Sequence, residues 1–160
     1  MNAVVIGAAK PGYAEAITRK LIKNGFKVIG TYDTEFEENA TKLSKESEKL
    51  TLKSLDLSSR NDLKSFVDDI VDPIDAFVFA QFYFDMENPD DFNHEIWDKS
   101  IAINLTAPNY LIHELKNKMN AGSSIVILTS TEGFRGSYGA SAYAATKAAI
   151  HNLVKTLANN

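Results

Sequence analysis

The chain has 160 residues, enough for one well-buried core and too few for two ordinary domains. Its net charge of −4, with acids and bases interspersed and no basic block, argues against nucleic acid or an anionic membrane as a partner. The absence of cysteine excludes disulfides, thiol catalysis and thiolate metal sites, and the histidines (His94, His113 and His151) are too scattered to suggest a metal centre.

In chain order, Asn2-Ala3-Val4-Val5-Ile6-Gly7 predicts a short buried strand bounded by glycine. A turn over Ala8–Ala14 follows, and Ala16, Ile17, Leu21 and Ile22 then recur at helical spacing. Strand, glycine turn and helix together bring backbone N–H groups and a helix amino terminus against a pyrophosphate. Gly7 permits the tight turn, Gly12 lets a phosphate approach the backbone, and small Ala14 lets the helix pack close to the sheet. Phe26–Thr31 predicts a second strand ending at Tyr32 and Asp33, followed by a charged helical stretch, Glu35–Lys49, and a third strand, Leu50–Leu55. Asp56-Leu57-Ser58 predicts the cap of a helix whose face is set by Asp62, Leu63, Phe66, Val67 and Ile70. The fourth strand is expected over Asp75–Ala80, and a long helical region runs from about Asp91 to Met119. Asn104 and Pro108 predict an interruption in that helix, because Asn is a poor mid-helix residue and Pro removes a backbone donor. Ser124–Thr129 completes the series as a fifth strand, with Ser130 projecting from its carboxyl end. No apolar run reaches membrane-spanning length, and the first residues read as a core strand, so a soluble cytoplasmic protein is expected. Regular alternation of strand and helix implies right-handed βαβ units and a parallel sheet covered on both faces. The expected fold is doubly wound α/β, Rossmann-like, with residues 1–160 forming a single dinucleotide-binding domain.

Tyr143-Ala144-Ala145-Thr146-Lys147 carries the chemistry. A tyrosine and a lysine at this spacing share one helix face, where an ammonium stabilises a phenolate and makes it a general acid or base. With Ser130 upstream and the glycine turn at the amino end, the chain resembles the short-chain dehydrogenase/reductase family over nearly all its length. Its 3-oxoacyl reductase-like members look most similar, through Lys27-Val28-Ile29-Gly30-Thr31 and the Tyr143–Lys147 segment.

The resemblance implies an NAD(P)-dependent oxidoreductase that moves a hydride between a nicotinamide and a small-molecule carbonyl or secondary alcohol. Tyr143 would exchange the proton, Ser130 would hold the substrate oxygen, Lys147 would support Tyr143 and bind the nicotinamide ribose, and Asn104 would hold a relay water. Cofactor contacts would come from Gly7, Lys10, Gly12, Ala14, Asp33, Asp56, Leu57, Ala80, Tyr143 and Lys147, with Asp56 and Leu57 at the adenine. Asp33 would accept from ribose hydroxyls and repel a 2′-phosphate, whereas Lys10 stands where many NADP-dependent relatives carry a base. The choice between NAD and NADP stays open, with a lean to NAD(H). No metal is implied.

Five departures bear on activity. Ile6, the extra residue Pro11, and Ala14 alter the family's glycine pattern, and Phe79-Ala80-Gln81-Phe82 replaces its Asn-Asn-Ala-Gly. Phe82 puts a ring where the family has no side chain, so the loop must move or the nicotinamide side of the pocket is reshaped. The sequence also stops within the helix carrying Tyr143 and Lys147, as if lacking the family's carboxyl-terminal third, including the segment that covers substrate. These departures keep open a second reading, a catalytically silent dinucleotide-binding or regulatory protein of the same fold. An extended relative such as a sugar-nucleotide epimerase spaces its glycines differently and ranks third. Ile150, Leu153, Val154 and Leu157 at helical spacing suggest a homodimer, as relatives form through this helix and the preceding long one.

Overall fold

The structure, a computed structural model, describes residues 1–159. Two compact units divide the chain, one formed by Met1–Gln81 with His113–Leu128, the other by Phe82–Ile112 with the chain from Thr129 onward.

The first unit is built on five parallel strands, β1 (Asn2–Ile6), β2 (Lys27–Tyr32), β3 (Leu50–Ser54), β4 (Ile74–Phe79) and β5 (Met119–Ile127). Their order in the sheet is β3-β2-β1-β4-β5, the doubly wound, Rossmann-like arrangement. Val4 of β1 stands between Ile29 of β2 and Phe77 of β4, so β1 lies where the strand order reverses. That reversal opens a crevice at the carboxyl ends of β1 and β4, the general ligand position of such sheets. The continuous apolar runs of β1 and β4 follow from burial on both faces. Ile6, Phe77 and Phe79 are fully buried. Helices α1 (Tyr13–Lys23) and α2 (Glu37–Ser44) bring Ala14, Ala40 and Leu43 into one core with Ala3, Val5, Val28 and Leu50.

Two local expectations are corrected. Helix α3 (Arg60–Asp68) is capped by Ser59, whose Oγ accepts from the Asp62 N–H, while Asp56 Oδ1 accepts from the Ser58 N–H. Asp56 therefore shapes the turn before the cap, and Asp62 belongs to the helix start, whereas Leu63, Phe66 and Val67 form the buried face. Strand β5 begins at Met119, well before the expected Ser124. Its polar start is drawn into the sheet by a register shift, in which Met119 pairs with Ile74 and Ser124 with Ala76. Asn120 Nδ2 donating to Asp75 Oδ1 holds that pairing, which apolar patterning does not reveal.

In the second unit, α4 (His94–Ile101) is capped by Asn93 and runs into a π-helical turn, Ala102–Thr106, and then into α5 (Ala107–Leu115), whose residues from His113 on belong to the first unit. The expected interruption at Asn104 is this π-turn, a feature frequent at functional sites. A short α6 (Glu132–Arg135) precedes α7 (Ser141–Leu157). Because β5 ends at Ile127, Ser130 lies in the turn before α6 and not at the strand's end. On α7, Ile150 is buried and Val154 exposed, so the apolar stripe is only partly covered. Among the described residues no helix is long and apolar enough to cross a membrane, and no group of acids and histidines is arranged to hold a metal ion.

Candidate cofactor site and catalytic residues

In the first unit, Gly7, Lys10, Gly12 and Ala14 of the expected cofactor residues lie in the turn after β1 and the start of α1. Gly7 has φ +82°, and its N–H donates to Thr31 Oγ1 at 3.0 Å; the Lys10 N–H closes the turn on the Gly7 carbonyl at 2.9 Å. Gly12 caps α1 at φ +100° with no side-chain cap, and a β-carbon there would meet nothing within 4 Å. Glycine is required at 12 by backbone conformation, and the space beside it is open. Ala14 is fully buried, and Thr18 Oγ1 ties α1 back to the Ala8 carbonyl at 3.1 Å. Asn39 Nδ2 donates to the Ala9 carbonyl at 2.7 Å and to Glu15 Oε2 at 3.0 Å, bracing the turn from α2. The Asn39 amide and then Arg19 hold the Glu15 carboxyl below its usual range.

Lys10 and Asp33 answer one another here. Burial lowers the Lys10 ammonium from its usual value, while Glu35 and Asp33 oppose that shift. The Asp33 carboxylate is exposed and accepts from the Glu35 N–H at 3.4 Å and the Thr34 hydroxyl at 3.3 Å. Asp56 is also exposed, with Oδ1 taken by the Ser58 N–H and hydroxyl, and Leu57 beside it is buried. Ala80 is fully buried, and its N–H donates to the Ile6 carbonyl at 2.9 Å, prolonging the β1–β4 pairing. The next residue, Gln81, lies against Gly7, with its Cβ and Oε1 each 2.9 Å from where a β-carbon on Gly7 would stand. An uncapped helix start, open space at Gly12, a cation at Lys10 and an orphaned buried acceptor at Gln81 fit a phosphate- and hydroxyl-bearing dinucleotide.

The second unit holds the residues expected to transfer the proton. Tyr143 and Lys147 share a face of α7, with Lys147 Nζ 5.4 Å from the Tyr143 ring centroid and the lysine only 2% exposed. Phe82 does not separate them; its ring lies edge-on to Tyr143 at 6.0 Å and 5.9 Å from Lys147 Nζ. Phe84 packs edge-on to Tyr143 at 5.3 Å, so the phenol has an aromatic wall. Ser130 Oγ accepts from the Glu132 N–H at 3.2 Å, which leaves its own hydrogen to be donated elsewhere. Asn104 is 1% exposed, and its side chain clamps one residue: Oδ1 accepts from the Tyr83 N–H at 2.8 Å and Nδ2 donates to the Tyr83 carbonyl at 2.9 Å.

Glu87 was not anticipated. It is buried, with Oε1 accepting from the Ala142 N–H at 2.8 Å and Oε2 from the Ser141 hydroxyl at 2.5 Å. Ala140 caps α7 without a side-chain bond, so Glu87 supplies from a distance the cap that this helix start lacks. Local sequence carries no sign of this, because the acid and the helix start are far apart along the chain. Gly133 is the other hidden requirement. A β-carbon there would stand 2.7 Å from the Lys147 carbonyl carbon and 2.8 Å from the Ala148 nitrogen, so α6 reaches α7 only through a glycine.

Comparison with known proteins identifies the family and the fold. Residues 1–160 match the family described as short chain dehydrogenase. An uncharacterized oxidoreductase of Staphylococcus epidermidis is 29% identical over 159 residues, covering 97% of this chain and 69% of that protein. The short-chain dehydrogenase/reductase FrzI of a Cladobotryum species is 26% identical and is covered over 62% of its length. Among solved structures, a blue fluorescent protein from a metagenomic library in complex with NADPH superposes with a TM-score of 0.92 at 26% identity, covering 99% of this chain and 67% of that one. BdcA in complex with NADPH gives 0.87 at 25% identity, covering 95% and 61%. The chain thus spans about two thirds of the length of the proteins it resembles.

Proposed function

The chain belongs to the short chain dehydrogenase family, and from that premise we propose that it carries the dinucleotide-binding and proton-transfer residues of an NAD(P)-dependent oxidoreductase acting on a carbonyl or secondary alcohol. The observation that carries the reading is the buried Lys147 ammonium held beside the Tyr143 phenol on one helix face.

A nicotinamide held here would supply the hydride in reduction and take it up in oxidation. Tyr143 gives its hydroxyl proton to the carbonyl oxygen in reduction and recovers it in oxidation. Ser130 donates its hydroxyl hydrogen to the same oxygen and fixes its position. Lys147 holds its cation beside the phenol and binds the nicotinamide ribose. Asn104 fixes the loop at Tyr83, and a water relay through it falls chiefly to the backbone of the π-turn, since its carboxamide is engaged. Gly7, Gly12, Ala14 and Lys10 receive the phosphates, and Asp33, Asp56, Leu57 and Ala80 complete the cofactor contacts. Residues 1–160 act in this reading as one dinucleotide-binding domain of a cytoplasmic homodimer.

NADPH is the cofactor to offer first. Both solved relatives named above hold NADPH, and the lean to NAD(H) finds no support among them. The Asp33 carboxylate that motivated it lies close enough to Lys10 to influence it, which softens its repulsion of a 2′-phosphate.

The test is a titration of the folded chain with NADPH and with NADH, followed by turnover of a panel of carbonyls. Saturable binding, with turnover that Tyr143→Phe abolishes without weakening the cofactor, is expected. Binding of neither dinucleotide overturns the reading. Phe82 against both Tyr143 and Lys147 favours one alternative, a silent dinucleotide-binding protein, which would bind NADPH and turn over nothing.

A further inference from the structure

Gln81 follows β4 where the strand order reverses. The residue is 7% exposed, and its Oε1 is buried with no hydrogen-bond partner among the described residues. Phe79 and Ala80 before it are at most 1% exposed, so an apolar side chain would suit the place. A buried acceptor left unbonded costs its full desolvation, and folded chains retain few such groups. The orphaned oxygen is also aimed. It lies 2.9 Å from the position of a Gly7 β-carbon, directly over the turn that precedes α1. A side chain at residue 7 would collide with Gln81, so the glycine is what lets a buried, unbonded acceptor pack onto the turn at the carboxyl ends of β1 and β4.

We infer that Gln81 is a cofactor-contacting residue, its carboxamide oxygen accepting a hydrogen bond from a ribose hydroxyl of the bound dinucleotide. Phosphate oxygens only accept, so an acceptor beside a phosphate-binding turn selects the sugar hydroxyls that flank the phosphates. The carboxamide N–H groups remain for a phosphate oxygen. The residue pattern that identified the other contacts has a small apolar residue at this position, so the contact belongs to this chain's own departure from it. The inference rests on the dinucleotide reading above.

The experiment compares wild type, Gln81→Met and Gln81→Ala by calorimetric NADPH titration and by thermal unfolding without cofactor. Methionine keeps the length and removes the orphaned acceptor. Gln81→Met is expected to unfold at a higher temperature than wild type when empty and to bind NADPH about fivefold more weakly, the worth of one hydrogen bond. Gln81→Ala, which only removes atoms, covers the case in which methionine does not pack, and it too should bind more weakly. Unchanged affinity in both variants overturns the inference while leaving the dinucleotide reading intact. Tighter binding by Gln81→Ala also overturns it and marks the side chain as an obstruction. A folded wild type that binds neither NADPH nor NADH removes both.

Discussion

Replacing Gly133 by alanine should destabilise this protein, although alanine is the better helix former by about 1 kcal/mol. Gly133 lies inside α6, where no positive φ calls for glycine. The added β-carbon would stand 2.7 Å from the Lys147 carbonyl carbon, 2.8 Å from the Ala148 nitrogen and 2.9 Å from His151 Cε1. Two of those atoms are backbone in the middle of α7, so relief requires one helix to move and not a side chain to turn. Overpacking of this kind costs roughly 1–3 kcal/mol, and rigid backbone partners place it near the upper end. Subtracting the propensity gain leaves a net loss of about 2 kcal/mol, or about 4–8 °C in thermal midpoint for a chain of this size. Urea unfolding of wild type and Gly133→Ala measures it. Gly136→Ala is the control: its φ of +67° makes alanine strained, but no atom lies within 4 Å of the new β-carbon. With ψ 174° it lies in a region essentially confined to glycine, so it should cost about 1–3 kcal/mol while leaving Lys147 undisturbed. A Gly133→Ala protein as stable as wild type would mean that α6 does not rest on α7 through this residue.

Glu87→Ala should destabilise by about 1–3 kcal/mol, because it frees the Ala142 N–H and the Ser141 hydroxyl at an otherwise uncapped helix start. Glu87→Gln should lose less, and amide exchange at Ala142 should quicken in the alanine variant alone; equal exchange in all three proteins would exclude the cap. A pH dependence is expected from Glu15, whose carboxyl is held below 4.5 chiefly by the Asn39 amide and then by Arg19. A depressed carboxyl contributes stability that is complete above its unfolded value and is lost as pH falls through its folded value. The stability difference between wild type and Asn39→Ala should therefore be constant above pH 4.5 and shrink below it, leaving only the lost bond to the Ala9 carbonyl. A difference that does not change with pH would mean that Asn39 acts on the Ala9 carbonyl alone.

The pairing of Tyr143 with Lys147 in the second unit was legible because it is local. Tyr143 and Lys147 are one helical turn apart, and spacing alone places them on one face. Asn104 was legible as an interruption for the same reason, although its partner, the Tyr83 backbone, was not. Phe82 was legible as a departure, a ring where the family has no side chain, but its placement edge-on to Tyr143 and beside Lys147 was not. The cap of α3 shifted from Asp56–Ser58 to Ser59 because several consecutive residues have capping side chains, and only backbone conformation selects among them.

Apolar periodicity and the glycine turn were sufficient for the doubly wound fold, since strand and helix periods are properties of neighbouring residues and alternation leaves few topologies open. Burial partners distant along the chain belong to the tertiary structure. Glu87 at the start of α7, Gly133 beneath Lys147, Gln81 over Gly7 and the polar beginning of β5 each depend on which surfaces meet. No local preference of a glutamate, a glycine, a glutamine or an asparagine announces such a meeting, because its energy resides in close contact and in hydrogen bonds made or left unmade away from water.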